Sequence, residues 1–182
     1  TSHGKTSLAM RIAAHAAINQ RKRVLIYSME TSADRILRSM VYRCARVSGG
    51  VERSAIETGR IEIARDAITR ADILISDQNG LTAQSITAEA IHKNQIKPLD
   101  LIVIDYLGML ECGEPKPRGI TRQMEIAIIT RAIKHLAAKI NVPIILLSQL
   151  NRASDQRAPK QRLPILSDLR DSGTIEHDAS VV

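Results

Sequence analysis

Short, uninterrupted apolar runs alternate along the sequence with longer segments in which apolar residues recur at helical spacing. Such short runs are typical of strands buried on both faces in the middle of a parallel sheet. Strands are predicted at 24–28, 73–77, 99–105 and 142–148. Helices are predicted at 8–18, across 34–70 with a break at 48–50, at 82–93 and at 120–140. This alternation predicts βαβ units, and therefore an α/β fold with a mostly parallel sheet.

Two helical segments have faces that the pattern assigns. In the last predicted helix, one stripe is expected to be the apolar face: Met124, Ile128, Ala132, Leu136 and Ile140. A helix after the first strand is predicted to start near Thr31, a hydroxyl cap with Asp34 three residues on. Its apolar positions are interpreted as core, and its arginines as a solvated face: Arg35, Arg38, Arg43 and Arg46.

The composition is that of one globular domain with an aliphatic core. The 182 residues are 44% hydrophobic but only 2% aromatic, with neither Trp nor Phe. Three tyrosines offer little scope for stacking nucleic-acid bases on aromatic rings. The net charge of +7 nevertheless favours a polyanionic partner.

Compartment signals point to the cytoplasm. Cys44 and Cys112 are isolated cysteines, which argues against a disulfide framework and for a reducing environment. No apolar run approaches the roughly 20 residues that a membrane span needs. The sequence does not open with a signal peptide. We therefore expect a cytoplasmic protein with no membrane partner.

The first seven residues, Thr-Ser-His-Gly-Lys-Thr-Ser, match the second half of the phosphate-binding pattern Gly-x-x-x-x-Gly-Lys-Thr/Ser. Gly4 would let the backbone approach phosphate oxygens, Lys5 would reach the β- and γ-phosphates, and the Thr6 hydroxyl would bind Mg²⁺. The N-terminus of the helix that follows also favours anions. The predicted ATP site comprises Ser2, His3, Gly4, Lys5, Thr6 and Ser7. Because the first half of the pattern is missing, we expect a fragment.

Polar side chains follow three of the predicted strands. In open α/β sheets, ligands bind beyond the carboxyl ends of the strands, where Glu30, Asp105 and Gln149 lie. Glu30 is either a base that deprotonates attacking water or an acid near a helix N-terminus. Asp105 either belongs to the ligand site or starts a turn. Gln149 either senses the γ-phosphate, since an amide can donate and accept, or faces solvent.

Other chemistries lack a sequence signature. The five histidines and two cysteines have no metal-ligand spacing, and there is no Gly-x-Ser-x-Gly elbow. Serine, histidine and aspartate are present without the arrangement that would predict a hydrolase triad.

Three segments together resemble the DnaB-type bacterial replicative helicases. They are Asp-Leu-Ile-Val-Ile-Asp-Tyr-Leu at 100–107, Val-Pro-Ile-Ile-Leu-Leu-Ser-Gln-Leu-Asn-Arg at 142–152, and Ser-Asp-Leu-Arg-Asp-Ser-Gly-Thr-Ile-Glu-His-Asp-Ala at 167–179. The Asp-Leu-Arg-x-Ser-Gly-x-Ile-Glu run is the most specific, because other RecA-like ATPases typically lack it. The resemblance covers essentially the whole chain. It implies a RecA-like P-loop motor with a twisted sheet, which assembles as a hexameric ring around single-stranded DNA and uses ATP hydrolysis at subunit interfaces to unwind duplex.

The same resemblance implies individual roles. Lys5 and Thr6 would hold phosphate and magnesium, and Asp105 would be the Walker B acid that shares the metal. Glu30 would be the catalytic glutamate and Gln149 the sensor. The loop containing Arg170, Asp171 and Gly173 would bind the DNA backbone. Such binding needs few aromatic rings and is largely independent of base sequence.

The family pattern also sets expectations for what flanks the chain. We expect residues 1–182 to be a motor domain that begins within the phosphate loop and ends before the strand carrying the arginine finger. Primase and a helicase loader are the expected partners of the full-length protein. Departures from the family pattern are Gly108, where the family usually has Gln, and Arg35 and His177, where it often has Gln.

Two further functions are compatible with parts of this pattern. One is a RecA-like ATPase of recombination or repair, which unwinding of forked DNA would distinguish. The other is a nucleotide-gated DNA-binding or assembly module that binds ATP without turnover.

Overall fold

The computed structural model describes residues 4–47, 54–113, 119–149 and 172–182. The helices among these residues are α1 (Lys5–Asn19), α2 (Ala33–Ala45), α3 (Ala55–Arg70), α4 (Ala83–Ile96), α5 (Arg122–Ile140), α6 (Ser172–Asp178) and a 3₁₀ turn at Leu107–Met109. The strands are β1 (Val24–Ser28), β2 (Ile73–Ser76), β3 (Leu101–Asp105) and β4 (Ile144–Leu146). Within the described ranges, no helix has both the length and the apolar character needed to cross a bilayer.

The described strands form one parallel sheet in the order β2-β1-β3-β4, which confirms the predicted α/β fold. β1 and β3 are buried at every position, as their unbroken apolar sequences predict. β4 is shorter than the predicted 142–148. Pro143 has no N–H to donate, although its carbonyl accepts a hydrogen bond from the Ile102 N–H at 3.0 Å.

Each face of the sheet is covered by a different set of helices. On one face, Leu25, Tyr27, Ile102 and Ile104 belong to a cluster with α4, α5 and Ile175 of α6. On the other, Val24, Ile26, Leu101 and Val103 pack with α1, α2 and Ile68 of α3. Alternate residues of each strand therefore supply opposite cores, as the period of two requires.

The apolar stripe predicted for α5 is wrong in its first half and correct in its second, where Leu136 is buried and Ala132 and Ile140 pack against the core. Met124 and Ile128 are 59% and 41% exposed, and the buried positions are Glu125, Ile126, Ile129, Thr130, Ile133 and Leu136. A strict four-residue repeat advances about 40° past a full turn at each step, so it spirals away from the core. The buried apolar residues instead alternate steps of three and four, which keeps them on one face.

The start of α2 also differs from the prediction. Its N-cap is Ser32, which makes no side-chain capping bond. The Asp77 carboxylate accepts a hydrogen bond from the Ala33 N–H at 2.9 Å and so satisfies a first-turn donor. Asp77, predicted as the last residue of a strand, thus lies beyond β2 and caps a neighbouring helix.

Candidate active site

The phosphate-loop residues Gly4 to Ser7 form the start of α1, next to the carboxyl end of β3. Gly4 has a φ of +77°, a left-handed conformation that favours glycine, although a Cβ there would meet no atom within 4 Å. The first helical bond runs from the Leu8 N–H to the Gly4 carbonyl at 2.9 Å. The N–H groups of residues 5 to 7 therefore have no intrahelical partner and can bind an anion. Ser2 and His3 lie outside the described residues.

Thr6 and Asp105 are in direct contact, although 99 residues separate them in sequence. The Thr6 hydroxyl donates to Asp105 Oδ2 at 2.7 Å. Asp105 is fully buried at the end of β3, and no described donor lies within hydrogen-bonding distance of its other oxygen, Oδ1. A buried carboxylate oxygen without a donor fits a hard cation, which prefers oxygen ligands.

A cation at this position needs ligands from outside the protein groups just named. Within the described ranges, no group of three or more His, Cys, Asp or Glu side chains is arranged to hold a metal ion. The Thr6 oxygen and Asp105 Oδ1 can supply two contacts. Phosphate oxygens and water are the usual remaining ligands of Mg²⁺, so these residues fit a metal that arrives with a nucleotide.

Lys5 is held by an aromatic ring in this structure. Its ammonium lies 4.5 Å from the centroid of Tyr106, the residue that follows Asp105 through a cis peptide bond. The contact is a cation–π interaction. The Lys5 side chain therefore contacts the residue that directly follows Asp105 in the sequence.

Glu30 lies at the same edge of the sheet but does not contact this pair. It follows β1 by two residues, and the last residue of β1, Ser28, is in register with Asp105. The Met29 N–H donates to the Asp105 carbonyl at 3.0 Å, which fixes the chain just before Glu30. The Glu30 side chain is exposed and makes no hydrogen bond or ion pair with another described residue. Its carboxylate is thus free to act on water or ligand.

Gln149 lies beyond β4 and is half-buried. The Leu147 N–H donates to the Ile104 carbonyl at 3.0 Å, and the Leu107 N–H donates to the Leu147 carbonyl at 2.9 Å. These bonds extend the pairing of β3 and β4 towards Gln149. The structure therefore brings Gln149 to the same edge of the sheet as Asp105, without a contact between the two side chains.

Two of the three predicted DNA-contacting residues lie outside the part of the chain that the structure describes. Arg170 and Asp171 lie outside the described residues, and Gly173 lies in α6. The described end of α6 is tied to α5, where the Thr130 hydroxyl donates to Asp178 Oδ2 at 2.7 Å. The interpretation of this segment as a DNA-binding loop stays a prediction.

One residue near the site was not singled out from the sequence. Arg43 of α2 is exposed, as predicted for the solvated face, yet its guanidinium donates to Ser7 Oγ at 2.7 Å. Local spacing carries no signal for a contact between residues 36 positions apart on different helices. Only the packing of α2 beside α1 brings them together.

Comparison with known proteins was consistent across sequence and structure. The family model for the DnaB-like helicase C-terminal domain matches residues 1–182. The chain is 40% identical over 185 residues to the probable plasmid replicative DNA helicase of Chlamydia muridarum, and 35% identical over 190 residues to the replicative DNA helicase DnaB of Geobacillus stearothermophilus. Each alignment covers all of this chain but 40% of the relative, so the chain spans less than half the length of these curated relatives.

Two solved structures have the same fold. One, described as a DnaB-like replicative helicase and its interactions with primase, has a TM-score of 0.86 at 27% identity, over 98% of this chain and 44% of that chain. The other, described as an ATPase domain, has a TM-score of 0.86 at 28% identity, over 97% of this chain and 63% of that chain.

Proposed function

This chain belongs to the family of DnaB-like helicase C-terminal domains, and we propose on that premise that it hydrolyses ATP to drive translocation on single-stranded DNA and unwinding of duplex. The observation that carries the proposal is the 2.7 Å contact between Thr6 and Asp105. It joins the phosphate loop to a buried carboxylate at the carboxyl end of the central strands. Phosphoryl transfer needs this combination of an anion-binding helix start and a metal-binding acid.

The residues present fit a complex of ATP with Mg²⁺. Thr6 Oγ1 and Asp105 would hold the metal, while Lys5 and the N–H groups of the first turn of α1 would bind phosphate oxygens. Bound Mg²⁺ would neutralise charge on the phosphates. Lys5 would leave the ring of Tyr106 when phosphate offers a full negative charge, because an ion pair with phosphate is stronger than a cation–π contact.

Glu30 is the proposed general base. Its exposed carboxylate has no described partner and lies next to the end of β3 through the bond between Met29 and Asp105. It would accept a proton from the attacking water. Gln149, at the end of the adjacent strand, would donate its amide to the γ-phosphate and so report whether that phosphate is present.

Single-stranded DNA is the proposed polyanionic partner. The net charge of +7 supports it, and Arg170, Asp171 and Gly173 are proposed as the contacts to the DNA backbone. We also propose assembly as a hexameric ring, contacts of the longer protein with primase and a helicase loader, and a cytoplasmic location. One structural neighbour is described with its primase interactions, which supports the partner class.

The experiment is steady-state ATP hydrolysis by the full-length protein that carries this domain, with and without single-stranded DNA. We expect DNA to stimulate turnover, and Glu30→Gln to lower kcat about 100-fold or more. Glu62→Gln is the matched control, since it also replaces an exposed carboxylate, on α3, by an amide. If Glu30→Gln turns over at the rate of the control, Glu30 is not the base.

Two outcomes would replace the proposed function. A protein that binds ATP and DNA without turnover would be a nucleotide-gated module. DNA-stimulated turnover without unwinding of a forked duplex would favour a RecA-like recombination or repair ATPase.

A further inference from the structure

Arg43 connects α2 to the first turn of α1. Its Nη2 donates to Ser7 Oγ at 2.7 Å, and its Nε donates to Ser39 Oγ at 3.1 Å, one turn earlier on its own helix. Among the described residues, no carboxylate lies within 4.0 Å of its guanidinium, in contrast to Arg38 on the same helix, which pairs with Asp34 at 3.0 Å. Within the described part of the chain, Arg43 therefore brings to Ser7 a positive charge that no carboxylate pairs with.

Thr6 and Ser7 use their hydroxyl groups in opposite senses. A carboxylate only accepts, so Thr6 must donate its proton to Asp105, and its oxygen lone pairs remain for a cation. A guanidinium only donates, so Ser7 must accept from Arg43, and its own proton remains for another acceptor. Thr6 thus presents an oxygen that can bind a cation, and Ser7 presents a proton that can bind an anion. The orientation of the Ser7 proton depends on Arg43.

The geometry points to Arg43 as a positioning residue for the nucleotide, and this inference rests on the proposed function. We infer that Arg43 orients the Ser7 hydroxyl so that its proton is donated to a phosphate oxygen, and adds positive charge beside the free N–H groups of residues 5 to 7. Lys5 and Thr6 serve the terminal phosphates and the metal. Ser7 follows them in the first turn of α1, and we assign Ser7 and Arg43 to phosphates that ATP and ADP share.

The chemistry of arginine is required for this role. The Nε and Nη2 atoms lie on one edge of a rigid plane, so bonds to Ser39 and Ser7 hold the guanidinium in one orientation. Lysine carries a point charge on a flexible chain and cannot make both bonds from a fixed plane. A lysine at position 43 would keep the charge but lose the alignment.

An interaction with phosphates common to ATP and ADP has a defined kinetic signature. It stabilises the bound ground state and the transition state equally, so its loss raises KM and leaves kcat unchanged. It also weakens ATP and ADP binding by the same factor. Residues that act on the γ-phosphate or the attacking water change kcat instead.

The test uses the full-length protein with ATP and ADP as probes. We expect Arg43→Gln to raise KM for ATP and Kd for ADP about 3- to 30-fold, the range of a hydrogen bond to a charged group at a partly exposed site, with kcat unchanged. Arg43→Lys is expected to recover only part of the loss. Arg38→Gln is the matched control, because it removes an exposed arginine from the same helix and should leave both constants unchanged.

A double-mutant cycle tests whether Arg43 acts through Ser7. Ser7→Ala should weaken the binding of both ATP and ADP. If Arg43 and Ser7 act as a unit, adding Arg43→Gln to Ser7→Ala should cause little further loss of affinity. Additive effects would overturn the orienting role. Equal constants for Arg43→Gln and Arg38→Gln, in a protein that hydrolyses ATP, would overturn the inference while leaving the proposed function intact. A decrease in kcat at unchanged KM would also contradict it.

Discussion

Gly108 lies against the ring of Tyr106, and a Cβ at position 108 would come within 2.5 Å of Tyr106 Cε2. The ring can therefore take this position only because residue 108 has no side chain. The same ring holds the Lys5 ammonium at 4.5 Å. The backbone at 108 is thus linked to Lys5 through one aromatic side chain.

Gly108→Ala should move the Tyr106 ring and weaken its contact with Lys5. Because an exposed cation–π contact contributes about 0.5–1 kcal/mol, we expect the free energy of unfolding to fall by about that amount. Near-ultraviolet circular dichroism should report the changed tyrosine environment.

Gly59→Ala is the control, since a Cβ at this position within α3 meets no atom within 4 Å. It should raise stability by about 0.5–1 kcal/mol, because alanine favours the helix. A change in Gly59→Ala like that of Gly108→Ala would show that the ring is not the cause.

Asp105→Asn should increase stability and abolish metal-dependent nucleotide binding. The Asp105 carboxylate is fully buried, with one oxygen bonded only to Thr6 and the other without a described donor. Burying a charge with so few hydrogen bonds is costly, and a neutral amide removes much of that cost. We expect the thermal midpoint measured without nucleotide to rise by about 2–4 °C, the shift that about 1 kcal/mol produces in a domain of this size.

Thr6→Val tests the contribution of the Thr6 hydroxyl separately from that of the Asp105 carboxylate. It removes the donor to Asp105 Oδ2 with little change in volume, and leaves the carboxylate without that bond. An unsatisfied buried acceptor costs about 1–3 kcal/mol, so Thr6→Val should lower stability while Asp105→Asn raises it. Calorimetry of both variants decides the sign, and a lower midpoint in Asp105→Asn would mean that the carboxylate stabilises the fold.

The strands and the position of the site were predictable because the signals are local. Residues 101–105 form an unbroken apolar run that ends in Asp105, and the carboxyl ends of parallel strands meet at one edge. That rule alone brings Glu30, Asp105 and Gln149 to the same edge. β1 and β3 were predictable as central strands because their unbroken apolar sequences require burial on both faces.

The contacts that decide the chemistry of the site depend on packing. The bond from Arg43 to Ser7 requires α2 to lie beside α1, and α2 is capped by Asp77 of a different segment. The first half of the α5 stripe failed for a related reason: Ile126 and Ile129 face the core because steps of three and four alternate, and a single spacing does not describe that face. Sequence periodicity specifies that a helix has an apolar face, whereas the tertiary structure selects which residues form it.

Asp100 should make stability depend on acidic pH. Its carboxylate accepts from Lys22 Nζ at 2.9 Å and from the Arg23 N–H at 2.8 Å, and these bonds hold the pKa of Asp100 below its usual value. A folded pKa below the unfolded one contributes stability above the unfolded pKa, and this is lost as pH falls through the folded pKa. At neutral pH, urea unfolding should therefore give Asp100→Asn a lower free energy of unfolding than wild type, by up to about 1 kcal/mol for this partly exposed group.

The difference between Asp100→Asn and wild type should shrink below about pH 4. Asp66→Asn is the matched control, since Asp66 forms an exposed pair with Arg70 within α3 at 2.9 Å. Such a pair contributes about 0.3–0.5 kcal/mol at most, so this variant should unfold almost as wild type does. A pH-independent effect of Asp100→Asn would mean that its role is packing and not charge.

Substitution of Arg122 should lower the free energy of unfolding more than substitution of most other exposed or half-exposed residues. Its guanidinium donates to the carbonyl groups of Gly108 and Leu110 at 3.0 and 3.1 Å, and to Glu125 Oε2 at 2.6 Å. The Glu125 side chain is only 6% exposed, and its Oε1 accepts from the Cys112 N–H at 3.3 Å. Together Arg122 and Glu125 hold the segment that follows Asp105 and Tyr106.

Arg122→Ala removes one cation from beside the Glu125 carboxylate and the donors to two carbonyl groups of that segment. We expect a loss of about 1–3 kcal/mol in the free energy of unfolding, the range for hydrogen bonds to a charged group, because the Arg122 side chain is 40% exposed. Arg122→Lys should recover less than half, because one ammonium cannot reach Gly108, Leu110 and Glu125 together. Arg122→Met combined with Glu125→Leu should be more stable than Arg122→Ala, since it leaves no buried charge. If the double variant is the less stable of the two, the contacts of Arg122 and Glu125 stabilise the segment 107–113 by more than the burial of the Glu125 charge costs.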